Sequence, residues 1–240
     1  MTRENGGQLT VGIVVPVYNE GKNIERTLDA MARGMGPFSA RFTVSIVYDR
    51  EDDDTLPVLK SITHKYPFPV RPLRNQSRGA CGAIKTGLSQ AGGDYVLVSM
   101  ADMSDDYSIL PAMLSLAEQG YDIICASRYM KGGAIHGGPF LKQGLSRLAG
   151  LTLHWLKKIP TRDITNSYKM YRRGIFERIR IESSGGFELG MEITAKAFAL
   201  GYRITELPSH WWDRTEGKSR FRLMAWLPCY LRWYFFVVFS

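Results

Sequence analysis

The chain has 240 residues, enough for one full hydrophobic core and too few for two. Apolar residues make up 45% and charged residues 22%, the balance of a globular domain. The net charge of +8 is spread along the sequence, which excludes a disordered basic tail while remaining compatible with nucleic acid, an anionic membrane or phosphorylated small molecules as partners.

Val11–Pro16 is a short β-branched run closed by proline and reads as a buried strand. Asn19-Glu20 opens a helical pattern with Ile24, Leu28 and Met31 on one face. Phe42–Tyr48 reads as a second strand, Thr55–Lys65 as a helix, and Pro67–Pro72 as a proline-rich extended piece. Gly79–Ala91 is helical, Asp94–Met100 a third buried strand, Ser108–Gln119 a helix and Tyr121–Ala126 a fourth strand. Four glycines within Gly132–Gly138 predict a loop. Leu141–Leu156 and Phe187–Leu200 read as amphipathic helices, and Tyr202–Leu207 as a strand. Three cysteines lie far apart with no CxxC pair, so zinc and redox motifs are absent and reduced thiols are expected. Met1–Leu9 is polar and has no apolar run of the signal-peptide type, so a cytoplasmic location is expected.

Strands alternating with helices predict an α/β fold with a mainly parallel sheet, whose ligands bind beyond the carboxyl ends of the strands. The places to search are therefore Pro16–Glu20, Asp49–Asp54, Ala101–Asp106 and Ser127–Gly133. Two of these exits are acidic. Carboxylates gathered at one sheet edge repel unless a cation sits among them, and Mg²⁺ commonly takes one or two carboxylates plus substrate phosphates. The competing reading, for Asp52, Asp53, Asp54, Asp105 and Asp106, is capping of helix N-termini. Asp49 and Asp102 lie nearest the strand ends and are the candidates for function.

Val15-Pro16-Val17-Tyr18-Asn19-Glu20, the stretch around Asp49, Ala101-Asp102, Ser127-Arg128-Tyr129 with Gly132-Gly133, Asp163-Ile164-Thr165, Gly186-Phe187 with Glu192, and Asp213-Arg214 with Gly217-Lys218-Ser219 follow one another in a recognisable order. Together they resemble family 2 glycosyltransferases of GT-A fold, in particular the polyprenyl (dolichyl) phosphate sugar synthases, over about residues 11 to 220. The sequence departs from that pattern where the first Asp of the Asp-x-Asp motif is Met100 and the usual Gln is Ser104.

The resemblance implies that Pro16, Tyr18, Glu20 and Asp49 line the base and ribose of a nucleotide-sugar, with Arg74 and the Gly79–Gly82 turn approaching the same ligand. For Gly79 and Gly82, helix–sheet packing is the competing reading. It also implies that Asp102, with Ser104 or Asp105 supplementing the ligand missing at Met100, holds Mg²⁺ or Mn²⁺ against the diphosphate. Arg128, Arg214 and Lys218 would stabilise the leaving-group charge. A lipid phosphate acceptor needs no base, whereas a sugar hydroxyl would need a carboxylate, for which Asp163 and Glu192 are the candidates. For Glu192 a solvated helical face is the competing reading.

Residues 221–240 are rich in Trp, Tyr and Phe, with Arg222 and Arg232 among them and Arg220 just before. Arg232 and Pro228 interrupt the apolar run, so it falls short of the roughly 20 apolar residues of a spanning helix. Aromatic and basic residues together predict a membrane-interfacial segment, appended to a single catalytic domain over 1–220. A terminal helix packed on the core is the alternative. The combined expectation is an inverting transferase, peripheral on the cytoplasmic face of an anionic membrane, that moves a sugar from a nucleotide-sugar to polyprenyl phosphate or another lipid-linked acceptor. The alternatives are transfer to a sugar or glycan hydroxyl and a non-catalytic nucleotide-sugar binder. Nucleic acid is not expected, because the aromatics cluster at one end instead of alternating along a basic strand platform.

Overall fold

The computed structural model describes residues 8–214 and 223–240. Strand β1 (Val11–Pro16) is an unbroken buried run, as a strand covered on both faces must be. It leads into helix α1 (Gly21–Met35), which buries Ile24, Leu28 and Met31 along the predicted face. There follow β2 (Phe42–Tyr48), α2 (Thr55–Ile62), β3 (Val70–Arg74), α3 (Gly79–Gln90), β4 (Tyr95–Val98), α4 (Leu110–Glu118) and β5 (Ile123–Ser127). The second half adds β6 (Ala134–His136), α5 (Phe140–Lys157), β7 (Lys169–Arg172), α6 (Leu189–Ala199), β8 (Ile204–Pro208), β9 (His210–Trp212) and α7 (Leu223–Phe239).

Seven strands form one sheet in the order β3-β2-β1-β4-β7-β5-β8. All run parallel except β7, which is wedged antiparallel between β4 and β5. The mainly parallel α/β fold is therefore present, and the sequence reading missed β7. Its four residues begin and end on charged side chains, which hides a central strand. The fully buried Lys169 is accommodated because its ammonium donates to the carbonyls of Ile164 and Asn166.

One face of the sheet packs on α1, α2 and α4 through residues such as Leu28, Leu59 and Met113. The other packs on α3 and α6 through Ile84, Leu88 and Ile193. Gly87 lets α3 lie directly on β1, since a β-carbon there would stand 2.1 Å from Val14 Cγ1. A third cluster joins α5, α6 and α7: Leu153, Met191, Ala195, Trp233 and Val237 are buried together. The aromatic C-terminal segment is thus a helix with one face in the core, and Leu231, Phe235 and Phe239 remain exposed on it. Pro228 lies inside that helix.

The glycine-rich segment also differs from expectation. Ala134–His136 is not loop but β6, which pairs in parallel with β9 in a separate two-stranded ribbon.

Candidate active site

The carboxyl ends of the parallel strands carry the acidic turns, as the topology requires. After β4 the chain turns sharply through Asp102–Ser104. Met103 there has φ 62°, a left-handed conformation that costs a bulky residue about 1–3 kcal/mol and is retained mainly where the surroundings enforce it. Asn19, at the exit of β1, is also left-handed, at φ 54°.

The ribbon strand β9 fixes the acidic turn from outside. Trp212 N donates to Ser104 O at 3.1 Å, and Asp213 N donates to His136 O at 2.9 Å. Arg214 follows immediately, and its Nη2 lies 2.7 Å from Asp102 Oδ2. The other carboxylate oxygen of Asp102 accepts Ser104 N at 3.2 Å. Glu20 belongs to the same electrostatic neighbourhood. Burial raises its pKa, Asn23 and Arg214 counteract that, and Asp102 adds to the rise.

Asp105 turns away from this mouth. Its Oδ2 accepts Ser99 Oγ and Met100 N, both at 2.9 Å. Burial pushes its carboxyl up to about 7, and the nearby Asp102 charge contributes. Ser104 is buried as well. Among the described residues no cluster of three His, Cys, Asp or Glu side chains forms a metal cage. Of Asp102 and Asp105, Asp102 is the one whose carboxylate stands at the mouth, where a hard cation would meet it. That donor set fits Mg²⁺ or Mn²⁺ only in the form in which substrate phosphates complete the coordination.

After β5, Arg128 is clamped by the fully buried Asp163. Arg128 Nε and Nη2 donate to the two carboxylate oxygens at 2.6 and 2.8 Å, and Arg128 N adds a bond of 3.0 Å. Burial alone would lower the guanidinium pKa, and Asp163 more than reverses this, holding it above its ordinary value. Ser146 on α5 and Thr165 extend the network. With its oxygens committed to Arg128, Asp163 positions that cation and has no free edge to take a proton from an acceptor.

Glu192 is placed differently from the candidate base suggested by the sequence. It is fully buried in α6, and its oxygens accept Glu182 N at 2.6 Å and Ser183 N at 2.7 Å, with Lys196 beside them at 2.7 Å. Glu188 does the same for Gly185 N and Gly186 N. The two acids together hold the loop that precedes α6.

The β2 exit splits in the same way. Asp53 and Asp54 bond the backbone of Asn19 and Gly21 at the start of α1, and Asp53 also caps Thr55 N of α2. Asp49 accepts Asn75 Nδ2 and Gly79 N, which ties the start of α3 to β2. Gly79 has φ +75°, and a β-carbon at Gly82 would stand 2.7 Å from Ser77 Cβ, so both glycines serve this tight turn. Arg74 is exposed and pairs with Glu51 at 3.0 Å. Pro16 and Tyr18 are half-buried at the exit of β1. Lys218 lies outside the described residues.

One cation at the mouth escaped the sequence reading. Lys142, in the first turn of α5, is half-buried. Its pKa is lowered first by burial and then by Arg128, while Asp213 and Asp102 oppose the fall. A lysine inside the apolar string Phe140-Leu141-Lys142 was the available signal.

The family profile described as Glycosyl transferase family 2 matches residues 12–180. A dolichol-phosphate mannosyltransferase of Pyrococcus furiosus is 25% identical over 235 residues, covering 91% of this chain and 64% of that protein. A polyprenol monophosphomannose synthase of Mycolicibacterium smegmatis is 26% identical over 216 residues, covering 87% and 79%. The chain thus spans less than two thirds of the length of the first relative. Among solved structures, the Mycobacterium tuberculosis glucosyl-3-phosphoglycerate synthase, crystallised with Mn²⁺, UDP and glucosyl-3-phosphoglycerate, superposes with a TM-score of 0.66 at 16% identity, covering 93% of this chain and 76% of that one. That likeness carries the GT-A fold.

Proposed function

This chain belongs to glycosyl transferase family 2, and from that premise we propose that it moves a sugar, with inversion, from a nucleotide-sugar to a polyprenyl phosphate on the cytoplasmic face of an anionic membrane. The observation that carries the reading is the convergence of Asp102, Arg214, Arg128 and Lys142 at the carboxyl ends of β4 and β5, beside the start of α5. The names of the two relatives supply the acceptor class.

In this reading Pro16, Tyr18, Glu20, Asp49 and Arg74 border the base and ribose. Asp102 faces the diphosphate, with Arg214 as its cationic partner. A divalent ion held by Asp102 and phosphate oxygens would supply charge stabilisation as the diphosphate leaves. Arg128, held rigid by Asp163, and Lys142 receive the acceptor phosphate. An oxygen of that phosphate attacks the anomeric carbon, the bond to the β-phosphate oxygen breaks, and nucleoside diphosphate departs. The attacking phosphate is already ionised, which agrees with a site whose buried acids, Asp163 and Glu192, are occupied by hydrogen-bond donors. Release of nucleoside diphosphate from a GDP- or UDP-sugar that requires added polyprenyl phosphate tests the reading.

A lipid acceptor requires contact with a bilayer, and α5 supports this more strongly than the C-terminal segment does. Phe140 is 89% exposed, Leu141 68%, Leu148 61%, Trp155 73% and Leu156 69%. Fully burying each such side chain is worth about 1.5–3 kcal/mol, so leaving five of them in water on one helix is costly. From Phe140 to Pro160 the sequence carries Lys142, Arg147, Lys157 and Lys158 and no acid, the pattern of an interfacial helix on anionic lipid. The exposed Phe235 and Phe239 of α7 extend the same character. Among the described residues no helix is long and apolar enough to cross a membrane.

The double variant Leu148→Ser/Trp155→Ser is expected to reduce cosedimentation with vesicles containing phosphatidylglycerol at least tenfold, since about 3 kcal/mol of burial is removed. The same pair of changes on a soluble core-facing helix would instead lower the melting temperature. Unchanged vesicle binding would remove α5 from the membrane surface.

A further inference from the structure

The pairing of Arg214 with Asp102 has a consequence for how the site accepts its donor. The Asp102 carboxylate stands at the mouth, where a divalent ion would meet it, yet one oxygen is bonded to Arg214 Nη2 at 2.7 Å and the other to Ser104 N at 3.2 Å. The pair is sheltered, with side-chain exposures of 24% for Arg214 and 13% for Asp102. A divalent ion on that carboxylate would sit within a few ångströms of a guanidinium in a poorly solvated place. Two like charges so placed repel strongly. A diphosphate changes the balance, because it offers Arg214 new anionic oxygens in the planar geometry that guanidinium groups bind well.

We propose that Arg214 is a positioning residue that holds Asp102 until the donor arrives, and that the metal and the diphosphate together displace it from the carboxylate onto the phosphates. The free chain is thereby protected from binding metal alone, and donor and metal enter as a linked pair. The backbone geometry suits such an exchange. Arg214 lies two residues beyond β9, and the amides of Trp212 and Asp213 are bonded to Ser104 and His136, so the start of its side chain is fixed relative to the Asp102 turn. Its long side chain can then change partner without movement of the sheet. Met100, two residues before Asp102, offers the metal no second carboxylate. The metal's dependence on phosphate oxygens is correspondingly greater. This inference rests on the donor-site reading given above.

The test is Mn²⁺ binding followed by electron paramagnetic resonance, in wild type, Arg214→Gln, Arg214→Lys and Asp102→Asn, each with and without UDP or GDP. Without nucleotide, Arg214→Gln should bind Mn²⁺ on the order of tenfold more tightly than wild type, the usual size of a coupling between two ligands. With nucleotide, the same variant should bind the Mn²⁺–nucleotide complex on the order of tenfold more weakly, because the phosphates have lost their cation. Arg214→Lys, which retains the charge, should exclude free Mn²⁺ as wild type does, and its melting curve controls for folding. Equal Mn²⁺ affinity of wild type and Arg214→Gln without nucleotide overturns the exchange. If nucleotide-dependent Mn²⁺ binding is still lost in Asp102→Asn, the donor site survives that failure. Absence of Mn²⁺ binding from every chain under both conditions overturns the exchange and the metal site together.

Discussion

Asp102→Ala is expected to lower kcat for sugar transfer about 10³-fold, the loss that accompanies removal of a main electrostatic contact to the leaving group. The carboxylate stands at the mouth, bonded to Ser104 N and Arg214. Asp105, the neighbouring acid, is turned inward onto Ser99 and Met100 and cannot replace it without breaking those bonds. The fold should survive. The substitution removes one backbone hydrogen bond and one partly exposed ion pair, about 1–2 kcal/mol in total. The check is the rate of labelled product formation beside a melting curve. Near-normal turnover in a folded Asp102→Ala chain would remove the residue from the donor site.

The second large effect is expected at Asp163. Asp163→Asn leaves the Arg128 side chain, only 12% exposed, without its fully buried counter-charge, a change that costs about 3–5 kcal/mol. For a chain of this size that lowers the melting temperature by about 10 °C. Transfer should also fail below the transition, because Arg128 loses the contacts that hold it at the exit of β5. A leucine pair, Arg128→Leu/Asp163→Leu, should recover much of the stability and none of the activity, since an apolar pair satisfies the interior but cannot bind phosphate. A general base would behave otherwise: the wild-type rate would fall on an acidic limb of the pH–rate profile, and the residual transfer by Asp163→Asn would lack that limb. Those two patterns separate a lipid phosphate acceptor from a hydroxyl acceptor.

The first half of the fold was legible because it obeys simple periodicities. β1 and β2 have the boundaries that their apolar runs indicate, and α1 buries the face marked by Ile24, Leu28 and Met31. The second half was less legible because tertiary contacts override local pattern there. β7 carries Lys169 and Arg172, and is a strand only because β4 and β5 flank it. β6 looks like a glycine-rich loop until β9 lies beside it.

At the site, spacing and topology marked the strand exits, but not the division of labour among acids. Asp102 and Asp163 differ from Asp53 and Glu192 in what their oxygens touch, which depends on residues about 30 to 110 positions away or on local turns that no period reveals. Arg214 meets Asp102 because β9 pairs with the acidic turn, a contact without a sequence signature. The sequence points to the C-terminal aromatics as the exposed apolar face. The stronger exposed face lies on α5, where the apolar stripe looks like an ordinary core-facing pattern until the neighbouring elements are in place.

The most direct measurement is the fate of a radiolabelled sugar supplied as GDP- and UDP-linked donors with polyprenyl phosphate in vesicles and a divalent ion. One labelled product is expected, which partitions with the lipid, has the mass of polyprenyl phosphate plus one sugar, and carries an inverted anomeric centre. Label that leaves the donor and appears on a sugar hydroxyl, or label that remains on the donor while the folded chain binds nucleotide, would contradict it.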